Sequence, residues 1–327
     1  MLYRTLGKTN FNISEISLGT WQVGGKWGSP FDPNNAEAIL KSAIDNGVNF
    51  IDTADVYSDG LSEKAVGKAV KSYQQKIYIA SKCGRKFQPH TDASYTLTAL
   101  RQSVEDSLQN IGVDHIDLIQ LHCPPWETYY RPEVFDLFDR LKSEGKIGAL
   151  GVSVEKVEQA IKAMEYDNLT TIQIIFNMFR HRPAELFFEL AKEKNVGIIV
   201  RVPLASGLLS GTYSADTTFG PDDHRAFNRN GEAFDKGETF SGIDYQKGLE
   251  AVRVLKDHFR DINLALLAIK WVLMYDAVSC VIPGASSPFQ VQNNLLAADL
   301  QQICEKDTIF IKSVYDQYIK GDVHQVW

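Results

Sequence analysis

Short apolar runs recur along this chain with helical stretches between them, and that rhythm limits how it can fold more than any single motif does. Runs rich in Val, Ile, Leu or Phe stand near residues 15–19, 48–52, 77–81, 116–121, 148–152, 171–175, 197–202 and 278–282. Such runs suit strands buried on both faces, as in a parallel sheet. Between them lie segments with helical spacing and caps. Asn34-Asn35-Ala36-Glu37 opens a helix that stops at Asn46-Gly47, a left-handed kind of end. Another starts at Leu61-Ser62-Glu63, and the stretch 94–111 closes at Gly112. Residues 131–144, 154–166, 183–194, 245–274, 288–298 and 304–319 read the same way, the 245–274 stretch as one longer helix. Eight strands alternating with helices imply parallel pairing through right-handed crossovers. The count favours a closed (β/α)8 barrel, one domain over residues 1–327, with an open doubly wound sheet as the alternative. The first strand leads into Gly-Thr-Trp rather than G-x-G-x-x-G, so a Rossmann fingerprint is missing.

Residues 212–244 break the rhythm. They are polar, glycine-rich and without clear periodicity. A loop this long inside a compact domain is usually functional or disordered. It follows the seventh strand, so a lid or cofactor clamp is the preferred reading and a solvated insertion the alternative. The apolar Trp327 near the end of GDVHQVW suits docking onto the barrel, though the sequence does not decide it.

Composition excludes several classes. A net charge of −7 argues against a general nucleic-acid binder. No apolar run reaches the length of about eighteen residues expected of a membrane span. The start MLYRTLGKTN lacks the apolar core of a signal peptide, so a cytoplasmic protein is expected. Cys83, Cys123, Cys280 and Cys304 show no zinc-like spacing and are expected to be reduced thiols. Cys83 and Cys123 read as small buried filler, with thiol oxidation as the alternative.

Four polar residues sit at or just past the ends of successive runs. They are Asp52 and Tyr57 after VNFIDTADVY, Lys82 after IYIASK, and His122 after IDLIQLH. The carboxyl ends of parallel strands open on one face, where ligands and catalysis concentrate. Each residue alone has a bland reading: a turn cap, a loop aromatic, a surface charge, a satisfied histidine. Three adjacent strand ends make one site the better reading. A tyrosine near pKa 10 is a poor acid at neutral pH, and a lysine cation beside it is expected to lower that value. The aspartate would hold the lysine charged, and the histidine would hydrogen-bond a substrate oxygen. The set offers neither an obvious nucleophile nor a metal cage. It moves a proton at a carbonyl or alcohol oxygen, and a hydride source must come from a cofactor.

These residues carry a resemblance. The chain resembles the aldo-keto reductases over nearly its whole length, through RTLGKTNFNISEISLGTW, FIDTADVYSDGLSEKAVGKAV, YIASKCG and IDLIQLHCP. The likeness continues through IGALGVS, TIQIIFN, PLASGLLSGTY and VIPGASSPFQVQNNL. It implies a (β/α)8 barrel that binds NADPH or NADP+ in extended form, with NADH as a second option. Asp52, Tyr57, Lys82 and His122 would be the catalytic tetrad, with Tyr57 the general acid in reduction. Ser153 and Gln173 match the positions that bind the nicotinamide carboxamide, although Val154 replaces a common asparagine. Thr20, Trp21 and Asp52 fall among the implied cofactor contacts. Arg201 and Val202 stand where the family often stacks an aromatic ring; a guanidinium plane is a substitute whose charge would disfavour the oxidised cofactor, with an arginine turned to solvent or to an acid as the alternative. Pro203, Leu204, Ser206, Gly207 and Leu209 match the segment around the pyrophosphate. Gly284, Ala285, Ser286, Gln290, Asn293 and Asn294 match the adenosine end, where NADPH-preferring relatives commonly place Lys or Arg.

The implied function is reduction of an aldehyde or ketone, or oxidation of the corresponding alcohol or sugar. A metal-dependent barrel hydrolase would need several His and Asp ligands at strand ends, and only His122 is so placed. No metal is therefore expected. A cofactor-binding regulatory subunit with little turnover is the alternative from another class. Loops near Trp21–Trp27, Arg85–His90, Pro124–Tyr130 and 212–244 would set the substrate. Trp21, Trp27, Trp126, Tyr129 and Tyr130 suit a partly aromatic pocket. The sequence leaves substrate identity and oligomeric state open.

Overall fold

The computed structural model describes residues 1–25 and 29–327, so Trp27 lies outside the described residues. An antiparallel hairpin, β1 (Tyr3–Thr5) with β2 (Asn12–Ser14), precedes the barrel. The barrel strands are β3 (Leu18–Gly19), β4 (Phe50–Asp52), β5 (Tyr78–Cys83), β6 (Ile116–His122), β7 (Ile147–Ser153), β8 (Leu169–Ile175), β9 (Gly197–Arg201) and β10 (Val278–Val281). Each pairs in parallel with the next in sequence order. Parallel bridges Ile16↔Val281 and Gly19↔Gly284 join the first strand region to the last and close the barrel. The fold is the expected (β/α)8 barrel.

Period-two alternation explains where the site lies. Phe50, Ala80, Leu118, Ala149, Ile199 and Cys280 meet Leu6 and Ile13 of the hairpin region in a core inside the barrel. The hairpin therefore plugs the amino-terminal end. Two residues further along each strand, the same inward face carries Asp52, Lys82, Gln120, Gly151 and Arg201. The apolar floor is thus followed by a polar layer at the carboxyl ends.

The outer layer comprises α1 (Pro33–Asp45), α2 (Leu61–Val70), α3 (Leu97–Ile111), α4 (Pro132–Ser143), α5 (Val157–Ala163) and α6 (Phe187–Glu193), and, after a short α7 (His224–Phe227) at the cavity, α8 (Tyr245–His258), α9 (Leu264–Leu273), α10 (Pro288–Leu295), α11 (Glu305–Val314) and α12 (Lys320–Val323). Most helical expectations hold, with shorter bounds. The 245–274 expectation needs correction. Phe259 closes α8, and the Asn263 side chain accepts from the Ala265 and Leu266 amides to start α9. That cap makes two helices of one apolar stretch. The 212–244 segment is also partly regular: α7 and two 3-10 turns, Lys236–Glu238 and Phe240–Gly242, order it over the barrel mouth.

Trp327 does dock. Its indole N–H donates to Asp235 Oδ1 (2.6 Å), and the Arg180 guanidinium lies 4.5 Å from its ring centre. Arg180 also donates to the Gly237 and Ser241 carbonyls, so Trp327 and Arg180 together fasten the roof loop. Elsewhere α2 packs on α3 through Gly67, where an added Cβ would lie 1.9 Å from the Ile111 carbonyl oxygen. Gly67→Ala is expected to force these helices apart and cost about 1–3 kcal/mol. Urea denaturation checks this, and parent-like stability would contradict it.

Candidate active site

Lys82, fully buried on β5, is the hub. Its Nζ donates to Asp52 Oδ1, to the Thr53 carbonyl (2.9 Å) and to the Tyr57 hydroxyl (3.2 Å). Asp52 reaches inward at the end of β4. Its second oxygen accepts from Gln120 Nε2 (2.9 Å) and Gln173 Nε2 (2.8 Å). Every partner of this carboxylate is thus a side chain held by a strand. Tyr57 starts a tight turn after β4 in which Ser58 and Asp59 both have positive φ. Non-glycine residues rarely adopt that conformation, and it concentrates at functional sites. The Tyr57 ring stacks near Trp21 (6.1 Å) and meets His122 edge-on (6.0 Å).

Electrostatics set the protonation states. Burial opposes the Lys82 charge, yet Asp52 and Tyr57 outweigh it and hold its pKa above the ordinary value. Burial raises Tyr57; Lys82 opposes this and Asp52 adds to it, leaving the phenol above its usual range. That corrects the expectation of a lowered tyrosine. Burial, with Asp52, outweighs the lysine's pull, so Tyr57 stands as a protonated donor. Burial, then the Arg85, Lys82 and Arg201 charges, press His122 well below its ordinary value. It is a neutral imidazole whose buried Nδ1 has no hydrogen-bond partner among the described residues.

The tetrad opens into a cavity of about 810 Å³. Asp52, Tyr57 and His122 line it, and Lys82 acts from behind through its partners. Thr20 and Trp21 lie on its wall, and Thr20 Oγ1 also donates to the Asp52 carbonyl (3.0 Å). Gln173, Arg201, Val202, Pro203, Leu204, Ser206 and Gly207 line it further along. In that turn Val202, Ala205, Ser206 and Gly207 all have positive φ, and the Ser206 hydroxyl donates to the Glu238 carbonyl (2.8 Å). Gly284, Ser286, Gln290, Asn293 and Asn294 form the far end. Three of the implied cofactor contacts are not on the wall. Leu209 and Ala285 are packed in the core, and Ser153 is buried with the Cys123 thiol donating to its Oγ (3.7 Å). Of the expected pocket aromatics, Trp21 is on the wall, Tyr129 is buried elsewhere, and Trp126 and Tyr130 are exposed.

Arg201 is turned to acids. Nη2 donates to Glu155 Oε2 (2.8 Å) and the Val154 carbonyl (3.0 Å), and Nη1 lies 3.7 Å from Glu238 Oε2. Arg85 Nη1 donates to Glu238 Oε1 (2.6 Å), and the four residues form one nearly buried quartet. Cys123, Glu155 and Glu238 also bring potential ligand atoms within 4.8 Å of one another, but these carboxylates already face two arginines. Burial and neighbouring Glu238 push Glu155 upward, whereas Arg85 and Arg201 overcome burial and keep Glu238 ionised. Sequence reasoning missed Gln120, Glu155 and Glu238. Gln120 had a usable signal, a polar residue inside IDLIQLH at the inward register.

A family profile described as the aldo/keto reductase family matches residues 15–316. The chain belongs to that family. It is 30% identical over 300 residues to aldo-keto reductase YhdN of Bacillus subtilis, covering 89% of this chain and 87% of the relative. It is 29% identical over 311 residues to the NADH-specific methylglyoxal reductase of Escherichia coli, covering 90% and 93%. The solved glycerol dehydrogenase AKR11B4 of Gluconobacter oxydans superposes with a TM-score of 0.77 at 30% identity, covering 97% of this chain and 96% of that one. This aldo-keto reductase is an NAD(P)-dependent oxidoreductase acting on carbonyl compounds. No described helix is long and apolar enough to cross a membrane.

In the turn after β4, Asp55 is buried with one oxygen accepting from Ser103 (2.8 Å) and Oδ1 unpartnered among the described residues. Burial is the main cause that pushes it up to about 6. The folded state therefore holds this proton more tightly than the unfolded chain does. Its contribution to stability is present below pH about 4 and is lost as pH rises through about 6. Binding a proton about a hundredfold more tightly is worth about 3 kcal/mol. Asp55→Asn is expected to match the parent near pH 4 and to exceed its Tm at pH 7–8. A Tm difference that stays constant with pH would refute this.

Proposed function

We propose that this chain reduces small aldehydes or ketones, or oxidises the matching alcohols or sugars, with Tyr57 moving the proton at the carbonyl oxygen. The observation that carries this reading is the buried lysine joining Asp52 to the Tyr57 hydroxyl, with a neutral His122 across the ring. In reduction Tyr57 donates its proton to the carbonyl oxygen. Lys82 stabilises the phenolate left behind, and Asp52 keeps the lysine charged and fixed. His122, neutral, orients the carbonyl oxygen by hydrogen bonding. Trp21 and the roof loop limit water at the reacting atoms.

The cavity suits a nicotinamide dinucleotide. It is long, joins the tetrad to a polar far end, and carries the left-handed backbone turn between them. Gln173 would meet the nicotinamide carboxamide, the Val202–Gly207 turn the pyrophosphate, and Ser286, Gln290 and Asn294 the adenosine. Arg201 would lie beside the nicotinamide, held by Glu155 and facing the ionised Glu238. A reduced nicotinamide held there would supply the hydride to the carbonyl carbon and be left oxidised. Tyr57 gives the oxygen its proton, so C=O becomes H–C–O–H.

Family likeness favours NADPH, but the segment Ser286–Asn294 itself carries no Lys or Arg. Without charge assistance a 2′-phosphate gains little. Titration followed by tryptophan fluorescence is expected to give Kd values for NADPH and NADH within about tenfold, or about 1.4 kcal/mol. A hundredfold preference for NADPH would contradict that. Tyr57→Phe is expected to lower turnover by a factor of about 10² or more while nucleotide Kd stays unchanged. Parent-level turnover in this variant would sink the proton-donor role.

A further inference from the structure

The proton relay does not use the charged wall beside it. Arg85 and Glu238 both line the cavity and hold each other through one contact, Arg85 Nη1 to Glu238 Oε1 at 2.6 Å. Their side chains are 17% and 3% exposed. Burying an ion pair seldom adds stability, so its place on this wall calls for another account. Beyond that contact Glu238 faces Glu155 and, at 3.7 Å, Arg201, and Arg85 stands 3.7 Å from Glu155; these leave the pair part of its hydrogen-bonding capacity. A guanidinium carries five N–H donors in a fixed fork, and an ionised carboxylate accepts on both oxygens.

Its surroundings are rigid and partly aromatic. The Arg85 guanidinium lies 5.1 Å from the Phe234 ring centre, and Phe234 lies 6.2 Å from Trp21, which stacks near Tyr57. Glu238 is fixed from behind: the Ser206 hydroxyl donates to its carbonyl, and the Phe240 amide donates to Ser206 Oγ (3.1 Å). Arg180 grips the Gly237 and Ser241 carbonyls on either side. A wall with ring faces on one side and a fixed donor–acceptor pair on the other fits a compact molecule bearing C–H faces and hydroxyls. An alkyl group pressed against the same wall would strip water from the pair and return no hydrogen bond.

We propose that Arg85 and Glu238 determine specificity in this cavity: they read a hydroxyl next to the carbonyl carbon, so that the substrate is an α-hydroxy aldehyde or ketone, or the matching polyol. This rests on the carbonyl-reductase reading above. Arg85 donates to the hydroxyl oxygen, and the hydroxyl donates a hydrogen bond to the Glu238 carboxylate. That hydroxyl is unchanged in the reaction, and only the neighbouring carbonyl is reduced.

Two isosteric pairs test it: glycolaldehyde against propanal, and hydroxyacetone against 2-butanone. Each pair exchanges a hydroxyl for a methyl. The measurement is kcat/KM for free carbonyl, with NADPH and NADH each saturating. The expected preference for the hydroxylated member is at least about 100-fold, since a site built to bind a hydroxyl rejects analogues that lack it. In Glu238→Gln and Arg85→Lys the ratio is expected to fall at least tenfold, with nucleotide Kd and Tm recorded to show that each variant is folded. Equal or better turnover of propanal and 2-butanone by the parent protein overturns the assignment and leaves the reductase reading intact. So does nucleotide binding without turnover of either pair. Failure to bind either nucleotide overturns both readings. The parent ratio decides the question even if neither variant folds.

Discussion

The buried pair of Lys82 and Asp52 is the interaction on which the site depends. Two unit charges are held almost without solvent at the carboxyl ends of adjacent strands. Such a pair survives only if its remaining hydrogen-bonding capacity is met. Here it is: Gln120 and Gln173 donate to the free aspartate oxygen, and Thr53 and Tyr57 accept from the lysine. Five strand or turn segments therefore converge on one carboxylate and one ammonium. The tyrosine's position and protonation follow from that convergence. Removing either charge would leave the other uncompensated in a dry layer of the barrel.

A second charged layer lies beyond the first. Glu238 descends from the roof loop to meet Arg85 and Arg201, which rise from β5 and β9, while Glu155 follows β7. This quartet links the loop to the barrel at the cavity wall. Trp327 and Arg180 link it again from outside. The loop is thus held at two points rather than left to cover the mouth loosely. Burial first, then the Arg85, Lys82 and Arg201 charges, press His122 toward its neutral form, so the two arginines of this layer also influence the chemistry below it.

The barrel and the tetrad were legible in the sequence for one physical reason. Strands buried on both faces read as apolar runs, and a polar residue at such an end stands out. Asp52, Lys82 and His122 satisfy that rule, and Tyr57 follows within one turn. The hairpin of β1 and β2 was not legible, because three-residue strands carry no measurable period. The break at Asn263 was hidden by apolar residues on both sides, although an asparagine ahead of an apolar helix is a capping signal. Gln120 was readable by counting two residues from Leu118 along the inward face. Glu238 was not: its role depends on the path of a long aperiodic loop. Arg201 shows the same limit, since sequence placed it at the right strand end and could not say which acids hold it.

The central claim is that Lys82 makes Tyr57 a working acid. The most direct test is to compare Lys82→Met with the parent protein for kcat of carbonyl reduction and for nucleotide Kd on the same folded samples. The account predicts that kcat falls by a factor of about 10² or more, because the phenolate loses its cation, while the nucleotide still binds with parent affinity. A variant that binds nucleotide and keeps kcat near the parent value would contradict it.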